Sequence, residues 1–147
     1  MELITYCDSK DISISKVKEF YCNYATWKVT NKYEDWEKII KKSSCIITYW
    51  DNDSLIGMAR ALSDEVRWAT IIDVLVHPNY RGKSIGRQLI EKLLEHKEMQ
   101  VRTVYLATPD KEEFYDKLGF KTVNEHCSYM IKVNKFNEDN YILPIEE

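Results

Sequence analysis

A chain of 147 residues can bury one sizeable core and is short for two, so a single domain over residues 1–147 is expected. Its 44% hydrophobic and 31% charged residues, with a net charge of −3 and no long basic run, exclude a nucleic-acid backbone as the expected partner. No apolar run is long enough to cross a bilayer, and Cys7, Cys22, Cys45 and Cys127 are scattered without a C-x-x-C pair. The expectations are a cytoplasmic location, no membrane partner, no metal and buried, reduced thiols.

In chain order, Glu2 to Cys7 reads as a strand. From Ser13 to Tyr24 a helix is predicted, with Val17, Phe20, Tyr21 and Tyr24 on one face and Ser13 or Ser15 as its cap. Residues 25–32 are aromatic but lack helical rhythm. A second helix is predicted from Tyr33 or Glu34 to about Lys42, burying Trp36, Ile39 and Ile40. Three strands follow, Cys45 to Trp50, Leu55 to Leu62 and Val66 to Val76. The polar turns at 51–54 and 63–65 join them, and such short connections require antiparallel pairing.

At His77-Pro78 the last of these strands breaks. The basic turn Tyr80-Arg81-Gly82-Lys83-Ser84 leads into a helix running to about Lys97, with Ile85, Leu89 and Leu93 in register. Backbone N–H groups at such a helix start lack intrahelical partners, and the helix dipole favours an anion there. Arg81, Lys83 and Arg87 add full charges, so residues 81–87 read as a phosphate-binding turn. Beyond the helix, Val101 to Ala107 is expected as a strand parallel to the one ending at Val76, since a helix joins them. Pro109 can open a short helix closed by Gly119, and 120–123 with 128–133 can form a final hairpin. The tail, 134–147, is polar apart from 141–145 and has no assigned role.

The run Arg81-Gly82-Lys83-Ser84-Ile85-Gly86 resembles the pyrophosphate loop of the GNAT (GCN5-related) N-acetyltransferase superfamily, Arg/Gln-x-x-Gly-x-Gly/Ala. Phe114-Tyr115-Asp116-Lys117-Leu118-Gly119-Phe120 resembles its second signature, Phe-Tyr-x-x-x-Gly-Phe. Their order agrees with the family, and the surroundings resemble it from about Leu3 to Val133. Ser84 departs from the pattern, standing where the family has its central glycine. A serine fits there in a helical conformation and is costly at positive φ.

The resemblance implies an α/β domain whose mixed, mostly antiparallel central sheet carries a splayed parallel strand pair and is flanked by helices. It implies acetyl-CoA as cosubstrate, held by Arg81, Gly82, Lys83, Ser84, Ile85, Gly86 and Arg87 at the pyrophosphate. The backbone of Val74, Leu75 and Val76 would lie along the pantetheine arm like a neighbouring strand. Thr108, where many relatives carry Asn, keeps one hydroxyl to offer that arm. Tyr115 is expected to protonate the departing thiolate: a phenol of pKa about 10 keeps its proton at neutral pH better than a thiol of about 8.5. Taken without the motif, it would be a core tyrosine capping a loop.

Asp73, alone in the apolar run 71–76, must reach water, a cation or a donor. It is either a base acting through water on the attacking ammonium or a structural carboxylate, and the residues leave both open; Glu65 is a lesser candidate. His77 reads as a loop histidine. Trp27, Tyr33, Trp36 and Trp68 could line an acceptor pocket, which the resemblance implies is built from the first helices and the strand of Trp68. Core positions are expected for most of them, with Trp27 and Tyr33 as the substrate candidates. A triphosphatase reading of Gly82-Lys83-Ser84 fails, because His77 occupies the position where that loop needs its first glycine. The expected activity is transfer of an acetyl group to the primary amine of a small molecule by direct attack. The alternatives are a peptide lysine or N-terminus as acceptor, or a non-catalytic acyl-CoA sensor, and a homodimer is allowed because dimers are common in the family.

Overall fold

Turn chemistry sets the centre of the fold in the computed structural model, which describes residues 3–123, 125, 127–134 and 141–142. The first half comprises β1 (Ile4–Cys7), α1 (Ile14–Tyr24), β2 (Val29–Thr30), α2 (Tyr33–Lys42), β3 (Cys45–Asp51) and β4 (Ser54–Ser63). β5 (Trp68–Val76), α3 (Ile85–Glu95), β6 (Thr103–Tyr105), α4 (Glu112–Asp116) and β7 (Tyr141–Ile142) follow. α1 begins where the Ser13 hydroxyl accepts the Lys16 N–H at 3.3 Å, a side-chain cap for an otherwise unpaired donor. The β4–β5 turn closes on one carboxylate: Asp64 accepts the N–H groups of Val66, Arg67 and Trp68 at 2.9, 2.7 and 3.0 Å. Glu65 occupies the left-handed position of that turn, φ 66°, which makes it a turn residue at the surface.

The main sheet has the order β1-β3-β4-β5-β6. Its first four strands pair antiparallel, and β5–β6 is the one parallel pair, as the α3 crossover requires. Alternation along β4 sends Met58 to one face and Ala59 and Ala61 to the other, so the sheet separates two cores. On the first face Ile85, Leu89, Ile90 and Leu93 of α3 pack over Ile47, Tyr49, Ala59 and Ile71. On the second, Val17, Phe20 and Tyr21 of α1 and Trp36 and Ile40 of α2 pack over Ile46, Met58 and Leu75. Gly57 lets α3 approach closely: a Cβ there would lie 3.0 Å from Ile85 Cγ2 and 3.4 Å from Leu89 Cδ1.

β5 and β6 part early. Their pairing runs from Trp68↔Thr103 to Thr70↔Tyr105 and stops, while β5 continues to Val76 with that edge bare among the described strands. The splayed parallel pair is therefore present, with a shorter β6 than the expected 101–107.

Other expectations are corrected. No strand forms over 120–123 or 128–133, where Val123, Tyr129, Met130, Ile131 and Val133 are exposed. A terminal hairpin needs a template edge, and β6 offers only three residues. β7 instead pairs antiparallel with β2, Val29↔Ile142 and Thr30↔Tyr141, returning the tail to the loop between α1 and α2. α4 starts at Glu112 rather than Pro109. All four cysteines are free, but only Cys45 is buried; Cys7 and Cys22 are half-buried and Cys127 is exposed.

Candidate active site

Gly82 and Ser84 both adopt left-handed backbone, φ 80° and φ 64°, and they turn the chain from the 3₁₀ turn Pro78–Tyr80 into α3. The first intrahelical bond runs from the Gln88 N–H to the Ser84 carbonyl, at 3.0 Å. The amides of Ile85, Gly86 and Arg87 thus start the helix without intrahelical acceptors and are positioned for an anion. Residues 81–84 are exposed, and Arg87, mostly exposed, pairs with Glu91 at 2.9 Å one turn on. The Ser84 hydroxyl makes no capping bond, so its side chain returns nothing for the strained backbone. Ser84→Gly should therefore stabilise the protein by about 1 kcal/mol, seen as a rise of about 2–4 °C in Tm by calorimetry.

Behind the turn, Gly86 sits where three pieces meet. A Cβ on it would contact Phe114 Cζ of α4 at 3.6 Å and Val76 Cγ2 at the end of β5 at 3.7 Å. The basic turn, the end of β5 and the tyrosine helix are thereby drawn to one place. Tyr115 belongs to the α3-face core with Val74, Val76 and Phe114 around that core, and its ring meets Phe114 and Phe120 edge-on at 4.9 and 5.9 Å. Burial raises its phenol above the usual value, so the hydroxyl holds its proton firmly. Among the described residues that hydroxyl has no hydrogen-bond partner. The helix is held at both ends: Thr108 Oγ1 accepts the Lys111 N–H at 3.0 Å, and the Phe120 N–H returns to the Tyr115 carbonyl at 3.1 Å through Gly119, φ 94°. Thr108 keeps its own proton to donate.

β5 itself is not a regular strand. Met58 pairs with Leu75 and Arg60 with Ile72, so Asp73 and Val74 together oppose Ala59 in a β-bulge, and Asp73 takes φ 58°. Val74 and Val76 turn to the α3 core and Leu75 to the α1–α2 core. The Asp73 carboxylate accepts from Arg60 Nε at 2.7 Å, and the side chains are 19% and 13% exposed. Its carbonyl accepts the Tyr21 hydroxyl at 2.5 Å. Tyr21 is fully buried and stacked on Trp36 at 4.9 Å; burial first, then the Asp73 charge, raises its phenol well above the usual value.

Trp27 lies half-buried beside that stack, its ring 6.4 Å from Tyr21, one residue removed from Asp73. Tyr33, 44% exposed at the start of α2, makes no hydrogen bond or ring contact among the described residues and is not joined to this group. Trp36 is core, with Nε1 on the Thr30 carbonyl at 2.8 Å. Trp68 is not core: it is 42% exposed and stacks on Tyr105 at the closed end of the β5–β6 pair, away from Val76. His77 is structural: Nδ1 accepts the Asn79 N–H at 3.0 Å, and its ring lies 4.2 Å from that of Tyr24. Burial, with the charge of Arg81, lowers its pKa and keeps it neutral at pH 7. Arg60 and Tyr21 were not singled out from the sequence, although a lone arginine within the apolar run 55–62 was a signal that it serves a carboxylate across the sheet.

Comparison with known proteins shows the family and the fold. Residues 14–120 match the model of the Acetyltransferase (GNAT) family. An uncharacterized N-acetyltransferase, ycf52, of Pyropia yezoensis is 34% identical over 118 residues, covering 76% of this chain and 67% of that protein. The histone acetyltransferase TAP1 of Glycine max is 47% identical over 70 residues, 46% of this chain and 30% of that protein. Among solved structures, the GNAT family protein SP0256 of Streptococcus pneumoniae superposes with a TM-score of 0.76 at 25% identity, covering 91% of this chain and all of that one.

Proposed function

The chain belongs to the GNAT family of acetyltransferases, and from that premise we propose that it passes the acetyl group of acetyl-CoA to the primary amine of a small molecule. The meeting of the phosphate turn, the bare β5 edge and the tyrosine helix at Gly86 carries this reading. Arg81, Lys83 and Arg87 with the first amides of α3 hold the pyrophosphate. The arm runs along Val74, Leu75 and Val76, and its thioester lies toward Tyr115. The amine nitrogen attacks the carbonyl carbon, forming the C–N bond as the C–S bond breaks; the thiolate takes the Tyr115 proton and the amine gives its own to water. Holding both reactants in line supplies much of the rate.

Of the two roles open to Asp73, the structural one is better supported, because Arg60 holds the carboxylate and Tyr21 holds the same residue's carbonyl. Of the two aromatic candidates, half-buried Trp27 near the strand is the one that still favours a small amine. The soybean relative is named a histone acetyltransferase, which favours a protein acceptor, and only the product separates the two. Purified protein, acetyl-CoA and a panel of amines, polyamines, aminoglycosides and peptides, read by mass spectrometry, should give a small molecule heavier by one acetyl group. Acetylated peptides alone would overturn the small-amine reading, and binding without any product would point to a sensor. Arg81→Ala should weaken acetyl-CoA binding about tenfold by calorimetry, the loss of one exposed phosphate contact, and an unchanged Kd would remove it from the phosphate site.

A further inference from the structure

We propose that Tyr21, Arg60 and Asp73 form a clamp that fixes the bulge of β5, and that Tyr21 and Arg60 are thereby positioning residues for acetyl transfer. The inference rests on the transfer reading above and names what holds the strand edge in place.

A bulge is an extra residue that the strand could expel. If Asp73 returned to ordinary extended backbone, the register beyond it would slip by one, and Val74, Leu75 and Val76 would each face the opposite core. The left-handed conformation of Asp73 is sparsely populated even for aspartate, so something must hold it. Two elements converge on this one residue, and a third braces the arginine that holds it. From α1, the Tyr21 hydroxyl donates to the Asp73 carbonyl at the bulge. From β4, Arg60 Nε takes the carboxylate, and from the end of α2, Ser43 Oγ accepts Arg60 NH1 at 3.3 Å. Tyr21 has little freedom to follow a moving strand, stacked on a Trp36 that is itself tied to Thr30. The clamp lies on the face opposite α3, so it sets the direction of residues 74–76 without touching the phosphate turn. Loosening it should misalign the acyl end of the arm and spare its anchored end, which is a loss in kcat at nearly constant cofactor affinity.

The test combines kinetics with backbone amide exchange. Tyr21→Phe keeps the ring on Trp36 and removes only the hydroxyl. It should lower kcat about tenfold, leave the acetyl-CoA Kd within about threefold and the pH profile unmoved, and speed exchange at Val74–Val76 about tenfold. Asp73→Asn, which keeps an oxygen for Arg60 and tolerates the left-handed backbone, should retain more activity than Asp73→Ala, with the acid limb of the profile in place. Wild-type kcat and wild-type exchange in Tyr21→Phe would overturn the clamp. So would an Asp73→Asn enzyme as impaired as Asp73→Ala and lacking the acid limb, which would make Asp73 the base. Exchange is read on the protein alone, so failure of the wild type to acetylate any amine would count against the acceptor reading and leave the clamp decided by exchange.

Discussion

Tyr115→Phe should lower kcat about a hundredfold and leave the acetyl-CoA Kd within about twofold. The substitution keeps the ring, so the edge-on contacts with Phe114 and Phe120 and the packing at the α3 face survive. What is lost is the hydroxyl that the proposed transfer uses to protonate sulfur. The pH dependence has a defined sign. The protonated phenol is the working form, and burial raises its pKa, so kcat should not fall on the alkaline side until above the ordinary phenol value of about 10. Steady-state kinetics with the acceptor found by mass spectrometry checks both parts. Equal turnover in the variant would take the acid role from Tyr115 and leave it as a core aromatic.

Gly57→Val should destabilise the protein by about 2–3 kcal/mol, roughly 5–10 °C in Tm, and weaken acetyl-CoA binding as well. A Cβ at this position already crowds Ile85 Cγ2 at 3.0 Å, and the two further methyl groups of valine have no space between β4 and α3. Relief requires α3 to lift at its first turn, where Ile85 and Gly86 carry the amides of the phosphate turn. Stability and cofactor affinity are therefore coupled through one contact. Gly57→Ala should show the same two effects at smaller size. Calorimetric melting and a binding titration on the same samples test the coupling, which fails if stability drops while affinity holds.

The basic turn into α3 and the meander were legible because their signals are local. Pro78 and Gly82 punctuate the chain, and the 51–54 and 63–65 clusters leave no length for anything but antiparallel returns. Asp73 was legible only in part. A carboxylate in an apolar strand announces that it needs a partner, but the partner is Arg60 on the neighbouring strand, and which strand residues face each other depends on a bulge that alternation assumes away. The dihedral of Ser84 was likewise beyond sequence: the same residue fits a helical start or a left-handed turn, and the turn geometry decided it. At the far end, the apolar run at 129–133 looked like a strand by composition, yet a strand needs an edge to pair with. The sequence carries no mark of how short β6 would be, or that Tyr141 and Ile142 would find β2.

The bare flank of β5 has a consequence for handling the protein. Among the described residues no strand pairs with that side of β5 from Ile71 to Val76, and an unpaired edge is the template on which unrelated chains add strands and clump. Acetyl-CoA lying along that flank would occupy the edge and act as a removable guard strand. Preparations stripped of nucleotide should accordingly aggregate faster at high concentration than those kept with coenzyme A, most of all on warming. Light scattering of the two preparations side by side would show it.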